Sequence, residues 1–295
     1  MTTPFPEPAA VVASLMLSAI GRKIDMKYME MRDGYEIFYR EDPVEKAKGI
    51  IIMTHGFAEH LDRYDHVTDY LNRADYSVVR YDLRGHGRNR GRGNLDRFES
   101  YIEDLEDILE GVRGANPQVP LITFGHSMGG LITAIFGSLH PSKCSAQILS
   151  GPALGRLPSA EKLQPGIMKV LSRIAGGVML KNPVGEGICG NRQVYLDYIS
   201  DPLVLHKASI GLYYQFLFRG VGLIGEVADK YTCPCLIVHG KEDPIVPIGI
   251  SRWFYGEIPS QKKDLIEYDG LYHEILNEDK RDYILKDITD WLNKL

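Results

Sequence analysis

A glycine-rich turn between a strand pattern and a helix pattern constrains this chain more than any other feature. Leu121–Phe124 is a short apolar run, residues 125–130 have the sequence G-H-S-M-G-G, and an apolar segment follows from Leu131. A buried strand that passes through a tight turn into a helix is typical of a parallel sheet, because parallel neighbours need crossover connections. The sequence therefore predicts the α/β fold class.

Seven further strand patterns alternate with helical patterns along the chain. The central ones are nearly continuous Ile, Leu and Val, as expected for strands that are buried on both faces. The seven are Met26–Met31, Tyr35–Arg40, Gly49–Thr54, Ser77–Tyr81, Ala146–Ser150, Cys235–Val238 and Asp264–Tyr268. With Leu121–Phe124 they predict a mostly parallel, eight-stranded sheet flanked by helices, with an opening β-hairpin.

The helical patterns divide the chain into a core and an insertion. Apolar stripes at helical spacing occur in residues 101–112 and 284–295, and further helices are predicted at residues 59–74 and 127–140. After Ser150 no strand is evident until Tyr231, although several segments look helical. We expect core residues 1–150 and 230–295, with residues 151–229 inserted as a helical cap over the carboxyl edge of the sheet, where such folds bind ligands.

Composition excludes several classes of protein. The net charge is −5 and the pI about 6.0, so the basic excess of a nucleic-acid binder is missing. The basic run from Arg84 to Arg92 is better explained by a structural role, in which its arginine and histidine side chains hold neighbouring loops together. The four cysteines form no C-x-x-C pair, which argues against a zinc site. We expect no metal and no organic cofactor.

The same cysteines bear on the compartment. Four cysteines in a chain of this length are typical of buried thiols in a reducing compartment, with a disulfide as the alternative, and predict a cytoplasmic protein. Ala9–Ile20 is apolar, but it is too short to span a bilayer and lacks the positive flank of a signal peptide. We interpret it as an N-terminal helix packed on the body, with a secretion signal as the alternative.

The glycine-rich turn has the spacing of a nucleophile elbow. In the G-x-S-x-G pattern the serine occupies a strained, tight turn, so the residues two positions to either side must be small. Gly125 and Gly129 meet this need around Ser127. The backbone N–H of Met128, at the helix N-terminus, is then placed to bind an oxyanion. The alternative is a glycine-rich helix start with an incidental serine.

A serine nucleophile needs a base and an acid, which in this fold follow it along the chain. Of the nine histidines only His273 lies far downstream, in a loop between the last strand and the last helix. The acid belongs directly after strand Cys235–Val238. Asp243 is the better candidate because Pro244 constrains the turn, and Glu242 is the alternative.

A second oxyanion donor is expected from the loop after strand Gly49–Thr54. Phe57 N–H is the candidate donor in that loop, Gly56 permits a close approach, and His55 is expected to brace the turn. The alternative is an ordinary turn before a helix.

Together these motifs resemble the α/β-hydrolases, and in particular the branch of monoacylglycerol lipases and lysophospholipases. The resemblance extends from about residue 25 to the C-terminus. Its motifs are His55-Gly56…Glu59-His60 with Arg63-Tyr64, Arg84-Gly85-His86-Gly87, Gly125–Gly130, His239-Gly240…Asp243, His273 and Tyr198–Leu203. Two positions depart from the family pattern, Ala58 for glycine and Asn89 for serine.

The resemblance implies a serine hydrolase that cleaves carboxylic esters of acyl lipids, most simply a monoacylglycerol lipase that releases fatty acid and glycerol. Tyr198 then lines the alcohol pocket, unless it is an ordinary helix aromatic, and His126 is a further candidate for substrate binding. A lysophospholipase, carboxylesterase, thioesterase or acyltransferase would use the same triad. A non-catalytic binding protein of this fold is the other alternative.

The insertion is rich in apolar residues. Residues 167–179 are apolar nearly all round, and an aromatic cluster follows at residues 212–218. An insertion of this size cannot bury all of these side chains, so some should face a substrate groove or a lipid surface. We therefore expect an acyl-ester lipid substrate and peripheral contact of the cap with a membrane.

Overall fold

The structure is a computed structural model that describes residues 27–183 and 185–295. The helix predicted at Ala9–Ile20 lies outside these residues.

A mixed sheet forms the centre of the molecule. The strands are β1 (Lys27–Glu30), β2 (Glu36–Asp42), β3 (Gly49–Thr54), β4 (Tyr76–Tyr81), β5 (Leu121–His126), β6 (Ala146–Ser150), β7 (Met179–Lys181), β8 (Lys207–Ser209), β9 (Cys235–Gly240) and β10 (Lys263–Tyr268). Eight of them form the main sheet in the order β1-β2-β4-β3-β5-β6-β9-β10. The β1–β2 and β2–β4 pairs are antiparallel and the other pairs are parallel. All eight predicted strands are present, so the predicted fold class is confirmed.

Helices pack on both faces of this sheet. The α-helices of the described residues are α1 (Asp65–Arg73), α2 (Glu99–Ala115), α3 (Met128–Leu139), α4 (Pro165–Ile174), α5 (Arg192–Ser200), α6 (Ile210–Tyr214), α7 (Val221–Val227), α8 (Ile248–Glu257) and α9 (Arg281–Leu292). A π-helical segment, Gln215–Gly220, joins α6 to α7.

The helix predicted at residues 59–74 starts later than expected. A 3₁₀ turn occupies Leu61–Tyr64, and α1 begins at Asp65. His60 has an extended backbone, with φ −156° and ψ 167°, and its Nε2 lies 2.7 Å from Asp201 Oδ2. This tertiary contact holds the chain out of the helix at a point where the local pattern favours one.

The described residues between β6 and β9 contribute no strand to the main sheet. It contains α4 to α7, and it also contains β7 and β8, which pair in antiparallel fashion. The prediction that this segment has no strand was therefore wrong. Each of these strands has three residues, which is too few to produce a period in the sequence.

The sheet separates two apolar layers because alternate side chains of a strand point to opposite faces. On β3, Ile50 and Ile52 belong to the cluster that packs on α2 and α3. Ile51 and Met53 belong to the cluster that packs on α1 and α9. All six residues of β3 are buried, as the unbroken apolar pattern indicates.

The main sheet brings its functional loops to one edge. β3, β5, β9 and β10 run parallel, so their carboxyl ends lie on the same side. Phe57, Ser127, Asp243 and His273 each follow one of these strands. In the described ranges, none of the helices combines the length and apolar composition that crossing a bilayer requires.

Candidate active site

Ser127 occupies a strained turn between β5 and α3. Its φ is 53° and its ψ −116°, a conformation that L-residues rarely adopt. A Cβ on Gly125 would lie 2.3 Å from Gly129 O, and one on Gly129 would lie 2.2 Å from Thr54 O. Both positions therefore require glycine, as the motif predicts, because neighbouring backbone fills the space that a side chain would need.

The loops after β9 and β10 bring an acid and a histidine together. Asp243 Oδ2 lies 2.6 Å from His273 Nδ1, and both side chains are buried. A Cβ on Gly240 would lie 2.2 Å from Tyr272 O, so glycine at the end of β9 allows the two loops to pack closely. Glu242, the alternative acid, is exposed and accepts the N–H of Gly270 at 2.7 Å. Of the two candidates, Asp243 is the one that contacts His273.

Asp243 is held by contacts that the sequence did not reveal. Its Oδ1 accepts the N–H groups of Ile245 at 2.8 Å and Val246 at 2.9 Å. His239 Nε2 lies 3.1 Å from Asp243 Oδ2, while His239 Nδ1 lies 2.7 Å from Ser251 Oγ. In the sequence, His239 belongs to the motif around Asp243 and has no predicted role, although its position four residues before the acid is compatible with such a contact. These bonds fix the direction of the carboxylate.

Electrostatics in this pair favour an ionised acid beside a strong base. Burial raises the pKa of Asp243, but the charge of His273 and hydrogen bonds from His239 and His273 outweigh it, so the pKa lies below its usual range. Burial lowers the pKa of His273, and the negative charges of Asp243, Glu274 and Glu59 outweigh that effect, so its pKa is raised. A carboxylate within hydrogen-bond distance favours the protonated imidazole in this way.

Ser127 and His273 line the same cavity at the carboxyl edge of the sheet. The structure gives no hydrogen bond between Ser127 Oγ and His273, a contact that often tightens only when substrate is bound. His126, the other candidate beside Ser127, is not among the described residues that line the cavity. Its Nδ1 donates to Ser150 O at 3.0 Å, and its ring packs 4.8 Å from the ring of His273.

Two backbone amides are candidates for an oxyanion hole. Among the described residues, the N–H groups of Phe57 and Met128 donate to no backbone carbonyl. The loop that carries Phe57 is braced as predicted, because His55 Nε2 accepts the N–H of Leu83 at 2.9 Å. Ala58, where the family pattern has glycine, is buried with a φ of 66°, and its carbonyl accepts the N–H of Leu205 at 2.9 Å.

A buried charged cluster lies at one end of the cavity, and the sequence did not identify it as a unit. Arg63 donates through Nη1 and Nη2 to the two carboxylate oxygens of Glu274, both at 2.8 Å. Arg63 also lies 3.7 Å from Glu59 Oε1, and Tyr64 Oη donates to Glu59 Oε2 at 2.9 Å. The H-G-x-x-E-H-x-x-R-Y motif contained three of these residues. Glu274, which follows His273 directly, had no assigned role.

Tyr198, on α5, lines the cavity beside this cluster. Its ring lies 4.8 Å from the guanidinium carbon of Arg63, and its hydroxyl oxygen accepts a hydrogen bond from Asn182 Nδ2 at 2.8 Å. The rest of the wall is mainly apolar. It includes Phe57, Leu157, Ile188, Phe216, Leu217 and Ile245. The cavity therefore joins a mainly apolar wall to one polar end, and Ser127 is part of its lining.

Comparison with known proteins identifies the family. A sequence profile of the family described as serine aminopeptidase, S33, matches residues 45–280. The chain belongs to this family. It is 33% identical to the monoacylglycerol lipase of Mycolicibacterium smegmatis, over 85% of this chain and 90% of that protein. It is 28% identical to the monoglyceride lipase of Rattus norvegicus, over 91% and 90% of the two chains.

A solved structure gives the same result. The monoacylglycerol lipase of Paleococcus ferrophilus superposes with a TM-score of 0.80 and 28% sequence identity, covering 88% of this chain and 99% of that one. This member of the S33 family is therefore an α/β-hydrolase of the branch that resembles the monoacylglycerol lipases, and a carboxylic ester hydrolase. In the described ranges, no group of three His, Cys, Asp or Glu side chains is arranged to hold a metal ion.

Proposed function

We propose that this protein hydrolyses monoacylglycerols to a fatty acid and glycerol through an acyl-enzyme on Ser127. The observation that carries the proposal is one cavity with an apolar wall and a polar end, lined by Ser127 and by His273, which is paired with Asp243. An acyl chain matches the apolar wall, and a polyol matches the polar end, where Tyr198 lies.

The chemistry proceeds in two steps on these residues. His273 takes the proton of Ser127 Oγ as that oxygen attacks the acyl carbonyl carbon, and the N–H groups of Phe57 and Met128 bind the resulting oxyanion. Glycerol leaves with the proton from His273, and the acyl group stays on Ser127. Water, deprotonated by His273, then attacks the acyl-enzyme, and His273 returns this proton to Ser127 Oγ as the fatty acid is released. Asp243 orients the imidazole and stabilises its charged form in both steps.

Removal of the nucleophile tests this assignment. We expect Ser127→Ala to lower kcat by about 10⁶-fold, as loss of the nucleophile does in another serine hydrolase, and to abolish labelling by a fluorophosphonate probe. Ser159→Ala is the matched control, because Ser159 lines the same cavity and is expected to keep both activity and labelling. Near-normal esterase activity in Ser127→Ala would refute the role of Ser127.

The substrate class is tested by comparing rates on several classes of acyl ester. We expect the highest kcat/KM on monoacylglycerols, ahead of lysophosphatidylcholine, triacylglycerol, an acyl thioester and a short p-nitrophenyl ester. A clear preference for one of the others would replace this proposal by the corresponding activity. The apolar wall predicts that kcat/KM rises with acyl length, and a flat series would contradict binding of the acyl chain there.

We further propose that residues 151–229 act as a cap whose outer face contacts lipid. Ile167, Val170 and Ile174 follow each other at helical spacing on α4 and are 60%, 55% and 76% exposed. Lys169 and Arg173 are exposed on the same helix. Such a combination of apolar and basic side chains is typical of helices that lie in a lipid interface. Together with the four free, buried cysteines, it supports a cytoplasmic location with reversible membrane contact.

Vesicle binding tests the lipid contact. We expect combined serine substitutions at Ile167, Val170 and Ile174 to reduce co-sedimentation with phosphatidylcholine–phosphatidylglycerol vesicles, while hydrolysis of a dissolved short-chain ester is kept. Leu139→Ser is the control, because Leu139 is also exposed but lies at the end of α3. Equal vesicle binding by the triple variant and the control would contradict the lipid contact.

A further inference from the structure

The polar end of the cavity is acidic. Among the described lining residues, Glu59 and Glu274 are the carboxylates, His273 is the histidine, and no lysine or arginine reaches the wall. Arg63 pairs with both glutamates but is not among the described lining residues. A molecule that enters this end therefore contacts the two carboxylates.

The arrangement of bonds keeps the two glutamates in place. Glu274 receives both guanidinium bonds of Arg63 and a hydrogen bond from Asn277 Nδ2 at 2.8 Å. Glu59 receives the Tyr64 hydroxyl, and both glutamates are at most 5% exposed. Burial and the charge of Glu274 raise the pKa of Glu59, although the charge of Arg63 opposes them. At a pH above that pKa, two carboxylates face one guanidinium, and the net charge of the cluster is negative.

We propose that Glu59 and Glu274 restrict the leaving alcohol to uncharged groups and exclude acyl esters whose glycerol carries a phosphate. This inference rests on the proposed function, since it concerns the alcohol half of the same substrate. It makes Glu274, the residue next to the catalytic base, a specificity-determining residue.

The physical reason is repulsion in a site with little water. A phosphate monoester carries about −1.5 to −2 charges at neutral pH, and like charges placed together at a buried interface cost several kcal/mol. A glycerol hydroxyl, in contrast, donates to a carboxylate oxygen, which is an acceptor only. The same two glutamates therefore favour the neutral alcohol and reject the anionic one.

A matched pair of substrates measures this selection directly. Octanoyl glycerol and octanoyl glycerol 3-phosphate differ only by the phosphate. Their short acyl chain allows both to be assayed below the concentration at which they aggregate. We expect the wild-type kcat/KM to be at least about 100-fold higher on the neutral ester. In Glu274→Gln we expect this ratio to fall at least about tenfold, because the cluster loses one negative charge and its net charge changes from negative to neutral.

The ratio of kcat/KM on the neutral ester to kcat/KM on the phosphorylated ester distinguishes charge selection from loss of structure. Glu278→Gln is the control: Glu278 is a buried glutamate of the same loop, bonded to Gly190 N–H at 2.8 Å, and it does not line the cavity. Its substitution is expected to lower both rates together and to leave the ratio unchanged. The wild-type ratio tests the inference even if Glu274→Gln does not fold.

The outcomes for the two proposals differ. Wild-type rates on the two esters within about threefold of each other, or a ratio that Glu274→Gln leaves unchanged, would overturn the charge selection alone. Failure of the wild-type protein to hydrolyse octanoyl glycerol in a Ser127-dependent manner would overturn the proposed function, and the selection with it.

Discussion

Replacement of Asp243 by asparagine tests the acid–base pair most sharply. The carboxylate lies 2.6 Å from His273 Nδ1 and is buried, so water screens its charge poorly. Two unit charges about 4 Å apart at an effective dielectric constant of about 20 interact by about 4 kcal/mol. In Asp243→Asn this stabilisation of the imidazolium is lost, and the amide also favours the wrong tautomer of the ring.

The expected loss is therefore about 10³- to 10⁴-fold in kcat, since each 1.36 kcal/mol corresponds to tenfold. Initial rates on octanoyl glycerol measure it, with circular dichroism to confirm that the variant is folded. The remaining activity should extend to lower pH than in the wild type, because the charge of Asp243 is one of the causes that raise the pKa of His273.

Glu242→Gln is the matched control, because it makes the same chemical change one residue away. Glu242 is exposed and bonded to Gly270 N–H, so kcat is expected to stay within about twofold of wild type. A large loss in Glu242→Gln together with near-normal activity in Asp243→Asn would refute the assignment of the acid.

Three further predictions concern pH and stability. His273 must be neutral to act as a base, and its pKa is raised above 6.5. In a pH series, kcat/KM should therefore fall on the acid side through a midpoint above that value. A midpoint below about 6 would contradict this. Gly125→Ala should lower the free energy of unfolding, measured with urea, by about 3 kcal/mol or more, because its methyl group would overlap backbone atoms. The control is Gly249→Ala on α8, where a methyl group meets open space, and it should leave the free energy of unfolding unchanged or raise it. Asp201→Asn should lower the free energy of unfolding by about 1.5–3 kcal/mol in the same assay, because it weakens a partly buried bond to His60. An unchanged unfolding midpoint would show that this bond contributes nothing.

The strands and the elbow followed from local patterns. Gly49–Thr54 is apolar at every position, and the structure buries all six residues between two helical layers. Positions 125 and 129 require glycine because backbone atoms, a few residues away or on the neighbouring strand, fill the space of a side chain. The motif alone therefore predicts the geometry of this turn. The catalytic roles of Ser127, Asp243 and His273 stay predictions. The chain order was enough to select Ser127 and His273 and to restrict the acid to Asp243 or Glu242.

Other features were not accessible from local patterns. The choice between Asp243 and Glu242 depends on which carboxylate the turn after β9 directs toward a histidine thirty positions later, and the structure places Asp243 there. β7 and β8 are too short to produce a period, and α1 begins late because His60 is held by Asp201. Whether the apolar stripe on α4 is inside or outside depends on what packs against it.

What the amino-acid sequence determined by itself is the α/β class, the strand order along the chain, and the positions at which a nucleophile, an acid and a base can follow their strands. These depend on periodicity and on turns, which act over a few residues. Only the tertiary structure decided that Arg63 and Glu274, more than two hundred residues apart, form one buried pair beside Ser127 and give the cavity an acidic end. Such a pair exists because two loops meet at the same edge of the sheet, and no local pattern encodes that meeting.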